Sequence, residues 1–355
     1  MGILTDKEIL IAKLTGDFNT DREFLIKESE KMAAEGNKDG ANAAMELLFE
    51  RMPESEKKKI EDLVYVNGKR LDAYYSDIEE LIKEKKIQEA LPMAKALYEK
   101  IITTYPETDD SKFVSLRNKF EQNVYQLMYK PEKTLNVAPF DFARMITTYG
   151  YLLVDVRELE EAEVVLKKAS EYNPVDCGPK FELAEAYKLS RKNDELLAIS
   201  KETLKISSSP YAMARCYCNL GFYCYNVEDY ENAAVFYYIS ILFAPHRAVE
   251  MELKNVALRL NKKLTPPQEA DIDRTFEKYG ITRGPEELLV SVAAQLATLA
   301  IERNDIEEAL MNLKLLYGLT NDENIKKTIL KYEPDALEKA RERFGITEPD
   351  SAQNN

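Results

Sequence analysis

The sequence predicts an all-α protein, an α-solenoid of stacked antiparallel helix pairs with a helical cap at each end. Residues that favour helix, namely Glu, Lys, Leu and Ala, are abundant. The 12 glycines and 14 prolines among 355 residues are too few for the many tight turns of an all-β fold. A helical pattern also recurs along the chain at nearly constant spacing, which is the signature of a repeat architecture.

The recurring pattern is clearest in three windows, 143–174, 214–245 and 290–321, which align without gaps. Each window has a bulky residue followed by a small one, and an alanine twelve positions after the small one. The sets are Tyr149-Gly150 with Ala162, Leu220-Gly221 with Ala233, and Leu296-Ala297 with Ala309. Small residues at these positions predict two helices that cross closely, and neighbouring pairs must stack to bury their apolar faces.

A fourth, less regular unit starts at Cys177, where Leu183-Ala184 is in register but Leu196 replaces the alanine. The offset from 143 to 177 is 34 residues, the period of a tetratricopeptide repeat (TPR). With these motifs the chain resembles the TPR family over 143–247 and 290–323, and more weakly over 71–104. The resemblance implies a right-handed superhelix with a concave inner groove.

The predicted organisation has three parts. Residues 1–70 are an N-terminal helical region that caps the solenoid, with capping boxes at Thr5 and Thr20 and a possible short hairpin at Asn67-Gly68. Residues 324–355 form a C-terminal capping helix and a frayed tail. Between them lies a TPR-like solenoid, 71–323, in which 111–142 and 248–289 are helical in pattern, and its clearest units are 143–176, 177–210, 214–247 and 290–323.

The most aromatic stretch of the chain, Leu220–Pro245, belongs to one of these units. Helical spacing assigns Tyr217, Tyr230, Tyr237 and Phe243 to packing, because aromatic stripes at that spacing are usually core.

A second stripe on the first helices points away from the partner helix of the same repeat. In the TPR family this face lines the groove that binds extended or helical peptides, and aromatic and Arg side chains there suit peptide recognition. The alternative interpretation is that these rings only touch the next helix. The candidate groove residues are Arg144, Thr147, Tyr151, Val154, Phe181, Glu185, Lys188, Arg215, Cys218, Asn219, Phe222 and Tyr225.

The family's clamp for the carboxylate of chaperone tails is missing from these stripes. The Lys and Asn expected on one first helix are replaced by Thr147 and Tyr151, or by Phe181 and Glu185. We therefore do not expect binding to heat-shock chaperone tails.

Charge and hydropathy exclude other classes of partner. The net charge of −14 and a pI near 4.9 argue against nucleic acid, whose phosphates an acidic surface repels. The longest apolar run, Ala233–Pro245, is about half the length of a membrane span. The first residues lack the pattern of a secretory signal, so we expect a cytoplasmic protein without membrane insertion.

Candidate catalytic and metal-binding residues are sparse. His246 is the sole histidine and matches no nucleophile or metal motif. Cys216 and Cys218 are two apart on a helix and face different sides, which disfavours a shared metal. We expect no metal, no cofactor and no catalysis.

The leading hypothesis is a scaffold or adaptor that holds a peptide or protein segment in a TPR groove. The alternative is a regulator whose superhelix changes conformation when a peptide binds, although residues 1–70 lack the basic recognition helix such regulators carry in front. A helical enzyme is a third possibility for which the sequence offers no site.

Overall fold

The computed structural model describes residues 5–344, so the tail predicted at 347–355 lies outside it. The chain divides into two compact units, Met1–Ser76 and Asp77–Asn355. That residues 1–70 cap the repeats stays a prediction.

Helices account for most of the described residues. Their bounds are α1 Asp6–Ile11, α2 Phe18–Ala34, α3 Lys38–Arg51, α4 Glu54–Val64, α5 Leu71–Lys83, α6 Ile87–Thr104, α7 Lys119–Tyr129, α8 Phe142–Asp155, α9 Leu159–Tyr172, α10 Cys177–Ser190, α11 Asn193–Ile206, α12 Pro210–Asn226, α13 Tyr230–Phe243, α14 Arg247–Leu260, α15 Glu269–Tyr279, α16 Glu287–Glu302, α17 Ile306–Thr320, α18 Glu323–Tyr332 and α19 Ala336–Phe344. Four short strands accompany them: β1 Tyr65–Val66, β2 Lys69–Arg70, β3 Ser111–Val114 and β4 Thr134–Val137.

In the first unit, two of the three local motifs predicted from the sequence are confirmed and one is wrong. Strands β1 and β2 pair antiparallel, and Asn67 and Gly68 make the turn at φ of 50° and 78°, so the hairpin is confirmed. The capping box at Thr5 is also confirmed. The one at Thr20 is wrong, because Asp17 caps α2 three residues earlier and accepts a hydrogen bond from the Thr20 backbone N–H.

A small apolar core holds the first unit's helices together. Its buried residues are Leu10 of α1, Leu25 of α2, and Ala44, Leu47 and Leu48 of α3. α3 contacts both α1 and α2, so this core is local to the unit.

The second unit consists mainly of the predicted helix pairs. Helices α8 and α9, α10 and α11, α12 and α13, and α16 and α17 each form a contacting pair. Pairs also stack, because α9 contacts α10, α11 contacts α12, and α13 contacts α14. The prediction of an all-α, TPR-like stack of helix pairs is confirmed.

The small residues lie where the two helices of a pair cross. Ala162, Ala233 and Ala309 are fully buried. Gly150 lies against the side chain of Leu166, and Gly221 lies against the ring of Tyr237. These contacts explain why the repeat requires small residues at these positions.

The stretch 111–142 departs from the helical prediction. Strands β3 and β4 pair in parallel, Ser111 opposite Thr134, and α7 connects them. Parallel strands need a crossover of this kind, and a strand of four residues is too short to reveal its period in the sequence. The strands are tied to the repeats where the Ser115 N–H donates to the Tyr172 carbonyl at 2.8 Å.

This β–α–β segment lies in the chain between two repeat helices that contact each other. Helix α6 contacts α8, so consecutive repeat helices meet although α7 lies between them in the chain. Helix α7 instead contacts α16, which comes much later in the chain. Phe120 and Val124 of α7 share an apolar core with residues of α16, and Lys119 Nζ is 2.7 Å from Glu308 Oε2 of the next helix, α17.

The stretches 248–289 and 324–344 are helical. Helix α15 packs on α13, with the ring of Tyr279 5.5 Å from that of Phe236. The predicted C-terminal capping helix is two helices, α18 and α19, because Pro334 cannot continue the first.

Candidate binding cavity

A cavity of about 430 Å³ lies among α10, α12, α13 and α14. Its walls come from two consecutive repeat units and from α14, the helix that follows them, and the connection between α13 and α14 forms part of the rim. The lining residues are Glu185, Lys188, Tyr211, Ala214, Arg215, Cys218, Asn219, Phe222, Tyr237, Ser240, Ala244, Pro245, His246, Ala248, Val249 and Glu252.

Helix α12 supplies the longest wall. Its first turn is fixed by Ser209, whose hydroxyl accepts from the Ala212 N–H, and by Pro210 at the start of the helix. From there, Arg215, Cys218 and Phe222 fall on one helical face by their spacing of three and four residues.

The two cations of the cavity lie beside carboxylates of α10. Lys188 Nζ is 2.7 Å from Glu185 Oε1, and Arg215 Nη2 is 3.8 Å from the same carboxylate and 3.8 Å from Glu182 Oε1. Glu252 is the remaining carboxylate of the lining, and it forms no ion pair with a described residue.

Both cations also lie over aromatic rings. The guanidinium carbon of Arg215 is 4.3 Å from the centroid of the Phe181 ring, and Lys188 Nζ is 5.4 Å from that of Phe222. Each contact joins α10 to α12. Cation–π contacts at this distance hold the two cations in place.

One polar group of the lining is buried without a protein partner. The Tyr237 side chain is fully buried, and its hydroxyl has no hydrogen-bond partner among residues 5–344. Asn219, which also lines the cavity, is 3% exposed. By contrast, the hydroxyl of Ser240 donates to the Ala214 carbonyl at 2.8 Å. Burial, followed by the Glu252 charge, raises the pKa of Tyr237, so the phenol keeps its proton.

Half of the candidate groove residues meet in this cavity, and the other half do not line it. Those that line it are Glu185, Lys188, Arg215, Cys218, Asn219 and Phe222. Phe181 lies beneath Arg215 and is 6% exposed, so this ring packs on its neighbour, as the alternative interpretation had it.

The remaining five candidates have other surroundings. Val154 is buried, and the Thr147 hydroxyl donates to the Ala143 carbonyl of its own helix. Arg144 forms an ion pair with Glu79, while Tyr151 is 40% exposed. The Tyr225 hydroxyl accepts from Arg259 Nε at 3.1 Å. That they line a groove stays a prediction.

The second wall of the cavity was missed by the sequence reasoning. It consists of side chains from the end of α13 and the start of α14, including Tyr237, Val249 and Glu252. The helical spacing placed Tyr237 in the core, which is correct for its ring. A signal was present in the order of the helices, because α14 follows α13 directly and packs against it.

The four cysteines are not arranged for metal binding or nucleophilic chemistry. Within residues 5–344 no three His, Cys, Asp or Glu side chains group so that they could hold a metal ion. Burial raises the pKa of Cys177 and of Cys224 to about 12 each, and it also raises that of Cys218 in the cavity wall. A raised pKa leaves little of the reactive thiolate at neutral pH.

Comparisons with known proteins add little to this picture. No protein-family model matches the chain, and no curated protein matches it. Sixteen solved chains match, among them one from the crystal structure of an APC/C hetero-tetramer, Cut9-Hcn1. The match covers 94% of this chain and 66% of that one, at 14% identity and a TM-score of 0.32. At that level nothing is transferred from the complex. No helix in the described part of the chain is long and apolar enough to cross a membrane.

Proposed function

We propose that this chain is a non-catalytic scaffold or adaptor that binds a segment of another protein in the cavity between α10, α12, α13 and α14. The observation that carries the proposal is the composition of the cavity wall. Aromatic side chains and an arginine, the residue types that dominate binding energy at protein interfaces, surround a concave space of about 430 Å³.

The walls are fixed before any partner arrives. Arg215 and Lys188 are held by Glu185 and by the rings beneath them. A partner therefore meets side chains that have already lost their rotational freedom. Preorganisation of this kind reduces the entropy cost of binding.

The chemistry of the cavity supports binding more than catalysis. His246 is exposed on the rim, and Cys218 is a thiol whose pKa is raised by burial. Neither is hydrogen-bonded to a base within the described residues, so the lining offers no activated nucleophile.

Peptide selection tests the proposal. Random peptides displayed on phage are selected on the folded protein, and the enriched peptides are then titrated against Phe222→Ala. Because Phe222 is only partly buried, its removal leaves the fold intact while it deletes an aromatic wall. We expect the substitution to weaken binding by about tenfold or more.

The matched control is Val164→Ala on α9, a side chain 64% exposed that does not line the cavity. Selected peptides should bind this variant as they bind the unchanged protein. If no peptide is enriched, or if the enriched peptides bind Phe222→Ala unchanged, the cavity is not the binding site.

A further inference from the structure

The parallel sheet of β3 and β4 has one occupied edge and one open edge. On the outer side of β3, the Ser111 carbonyl accepts from the Thr108 N–H at 2.9 Å, and the Ser115 N–H donates to the Tyr172 carbonyl at 2.8 Å. The far edge of β3 is therefore tied to the rest of the chain. Within residues 5–344 the sheet contains only these two strands, so β4 has no neighbour on its other side.

The hydrogen bonds of β4 show which of its backbone groups face the open edge. The N–H groups of Thr134 and Ala138 donate towards β3 at 2.9 and 2.8 Å. Backbone groups alternate in direction along a strand, so the N–H and C=O groups of Leu135 and Val137 face outward. The Val137 side chain is 79% exposed, which leaves this edge accessible to another strand.

The surroundings of the open edge are uncharged, although 32% of the residues in the chain are charged. A cavity of about 370 Å³ lies between α7 and the two strands, and none of its lining residues carries a charge. Leu135 and Val137 line it from β4, and Gln122, Asn123 and Gln126 line it from α7. A charged segment would lose hydration here without gaining a compensating charge, so the edge favours an uncharged strand.

The strand that meets these requirements on the same chain is β4 itself, Thr-Leu-Asn-Val, which carries no charge. Two copies related by a two-fold axis at Asn136 would pair antiparallel, with Leu135 of each copy opposite Val137 of the other. Each of these two pairs exchanges two hydrogen bonds. All the outward N–H and C=O groups of both strands would then be bonded.

The register is fixed by the ends of the strand. An axis shifted to Leu135 would place Val137 opposite Lys133, and an axis shifted to Val137 would place Leu135 opposite Pro139. The chain bends at Lys133 and at Pro139, and proline has no N–H to donate. Only the axis at Asn136 keeps every outward group opposite an extended residue.

The flank of the edge is also suited to contact with its own copy. A two-fold contact brings the same patch of both partners together, so a charged patch would repel itself. The carboxamides of Gln122, Asn123 and Gln126 both donate and accept without charge, and such groups can bond to their own kind. Residues directly opposite in a strand pair lie on one face, so the Leu135 and Val137 side chains of both copies would form one apolar surface.

We propose that the open edge of β4 pairs with the same edge of a second copy, so that two chains share a four-stranded sheet with the β3 strands outermost. The inference goes beyond the proposed function and does not depend on it, because it uses a different surface. The paired strand is short, so the dimer is weak and reversible and forms at high protein concentration.

Asn136 provides the test, because the two-fold axis places this residue opposite itself. Asn136→Asp brings two carboxylates together, and Asn136→Lys brings two ammonium groups together. Each variant alone should weaken self-association by about fivefold or more, since like charges directly opposite destabilise a strand pair. An equal mixture of the two variants should restore association, because aspartate then faces lysine.

Sedimentation velocity from roughly 1 to 300 µM, the range in which small interfaces associate, measures the dimer fraction. Asn136→Thr is the matched control, because it is uncharged and favours strand, and it should dimerise like the unchanged protein. Val137→Pro removes one outward N–H and none of the bonds to β3, so it should also weaken the dimer. Circular dichroism confirms that each variant is folded.

Three results would overturn the inference. The first is a monomer of 40.8 kDa throughout this range for the unchanged protein. The second is self-association that both charge variants leave unchanged, because it would then use another surface. The third is a mixture of the charge variants that stays monomeric, because Asn136 would then not face its own copy. Failure of the peptide selection would remove the proposed function and leave this result as it is.

Discussion

The ring of Tyr237 lies so close to the backbone of Gly221 that a β-carbon added there would come within 2.7 Å of two ring carbons. The two helices α12 and α13 approach each other at this point with no space for a methyl group. We expect Gly221→Ala to destabilise the protein by about 1 to 3 kcal/mol, because either the ring or the helix must move. Urea unfolding followed by circular dichroism measures the change.

The control for this experiment is Gly178→Ala at the start of α10. A β-carbon there would meet the Asp176 carboxylate at 3.4 Å, an ordinary contact. Alanine in a helix is favoured over glycine, so this variant should be neutral or stabilised by about 0.5 kcal/mol. Equal losses of stability for the two variants would mean that the close helix crossing is not the reason why position 221 must be glycine.

The unbonded hydroxyl of Tyr237 predicts an unusual response to mutation. Removing a buried polar group that has no partner relieves its desolvation cost, so Tyr237→Phe should be neutral or stabilising by about 1 kcal/mol. Tyr149→Phe is the matched variant, because that hydroxyl donates to Glu161 at 2.6 Å and the residue is equally buried. Its loss should cost about 1 kcal/mol. Thermal or urea unfolding of both variants measures these changes. A marked loss of stability for Tyr237→Phe would contradict the finding that its hydroxyl has no hydrogen-bond partner.

Glu163 predicts a pH-dependent contribution to stability. Its carboxylate is 2.6 Å from Lys167 Nζ and 2.7 Å from Lys192 Nζ, and these hydrogen bonds lower its pKa to about 2. Because the folded pKa is below the ordinary value of 4.5, the stabilisation is complete above that value and is lost as the pH falls towards 2.

We expect Glu163→Gln to cost about 0.5 to 1 kcal/mol at neutral pH, since solvent screens these partly exposed pairs. The difference between the variant and the unchanged protein should narrow below about pH 4. Unfolding free energies measured from pH 7 downward test this. A difference that stays constant with pH would assign the loss to packing instead of charge.

The four thiols should react slowly in the folded protein. The pKa values of about 12 for Cys177 and Cys224 imply roughly a thousandfold less thiolate than in a free cysteine at neutral pH. Iodoacetamide labelling followed by mass spectrometry should therefore show little modification until urea unfolds the chain. Labelling of Cys224 in the native protein at the rate of free cysteine would contradict this prediction.

The helix pairs could be predicted from the sequence because their cause is local. The two small residues of each helix crossing are twelve positions apart, as in Gly150 with Ala162 and Gly221 with Ala233. The residues that require a close crossing therefore lie within one short stretch of sequence. The resulting helices pair as expected. The β3–α7–β4 segment could not be predicted in this way. Each of its strands has only four residues, and β3 pairs with a strand that comes later in the chain, after α7.

The cavity was only half predictable for a related reason. The stripe on α12 was found because its residues share one helical face. Tyr237 is fully buried and also lines the cavity, and helical spacing predicted only its place in the core. Phe181 shows the opposite error, because a stripe residue is covered when the arginine of the next repeat lies over it.

The contact between α7 and α16 changes how the second unit should fold. In an open repeat array, ordering spreads between neighbours and end repeats can fray separately. Here α7 packs on α16, and Lys119 of α7 pairs with Glu308 of α17, 189 residues later in the chain. Closing so long a loop costs chain entropy. The repeats between α7 and α16 lie inside that loop, so unfolding any of them would separate α7 from α16. We expect the second unit to melt in one cooperative step and to refold more slowly than its short-range helix pairs alone would suggest.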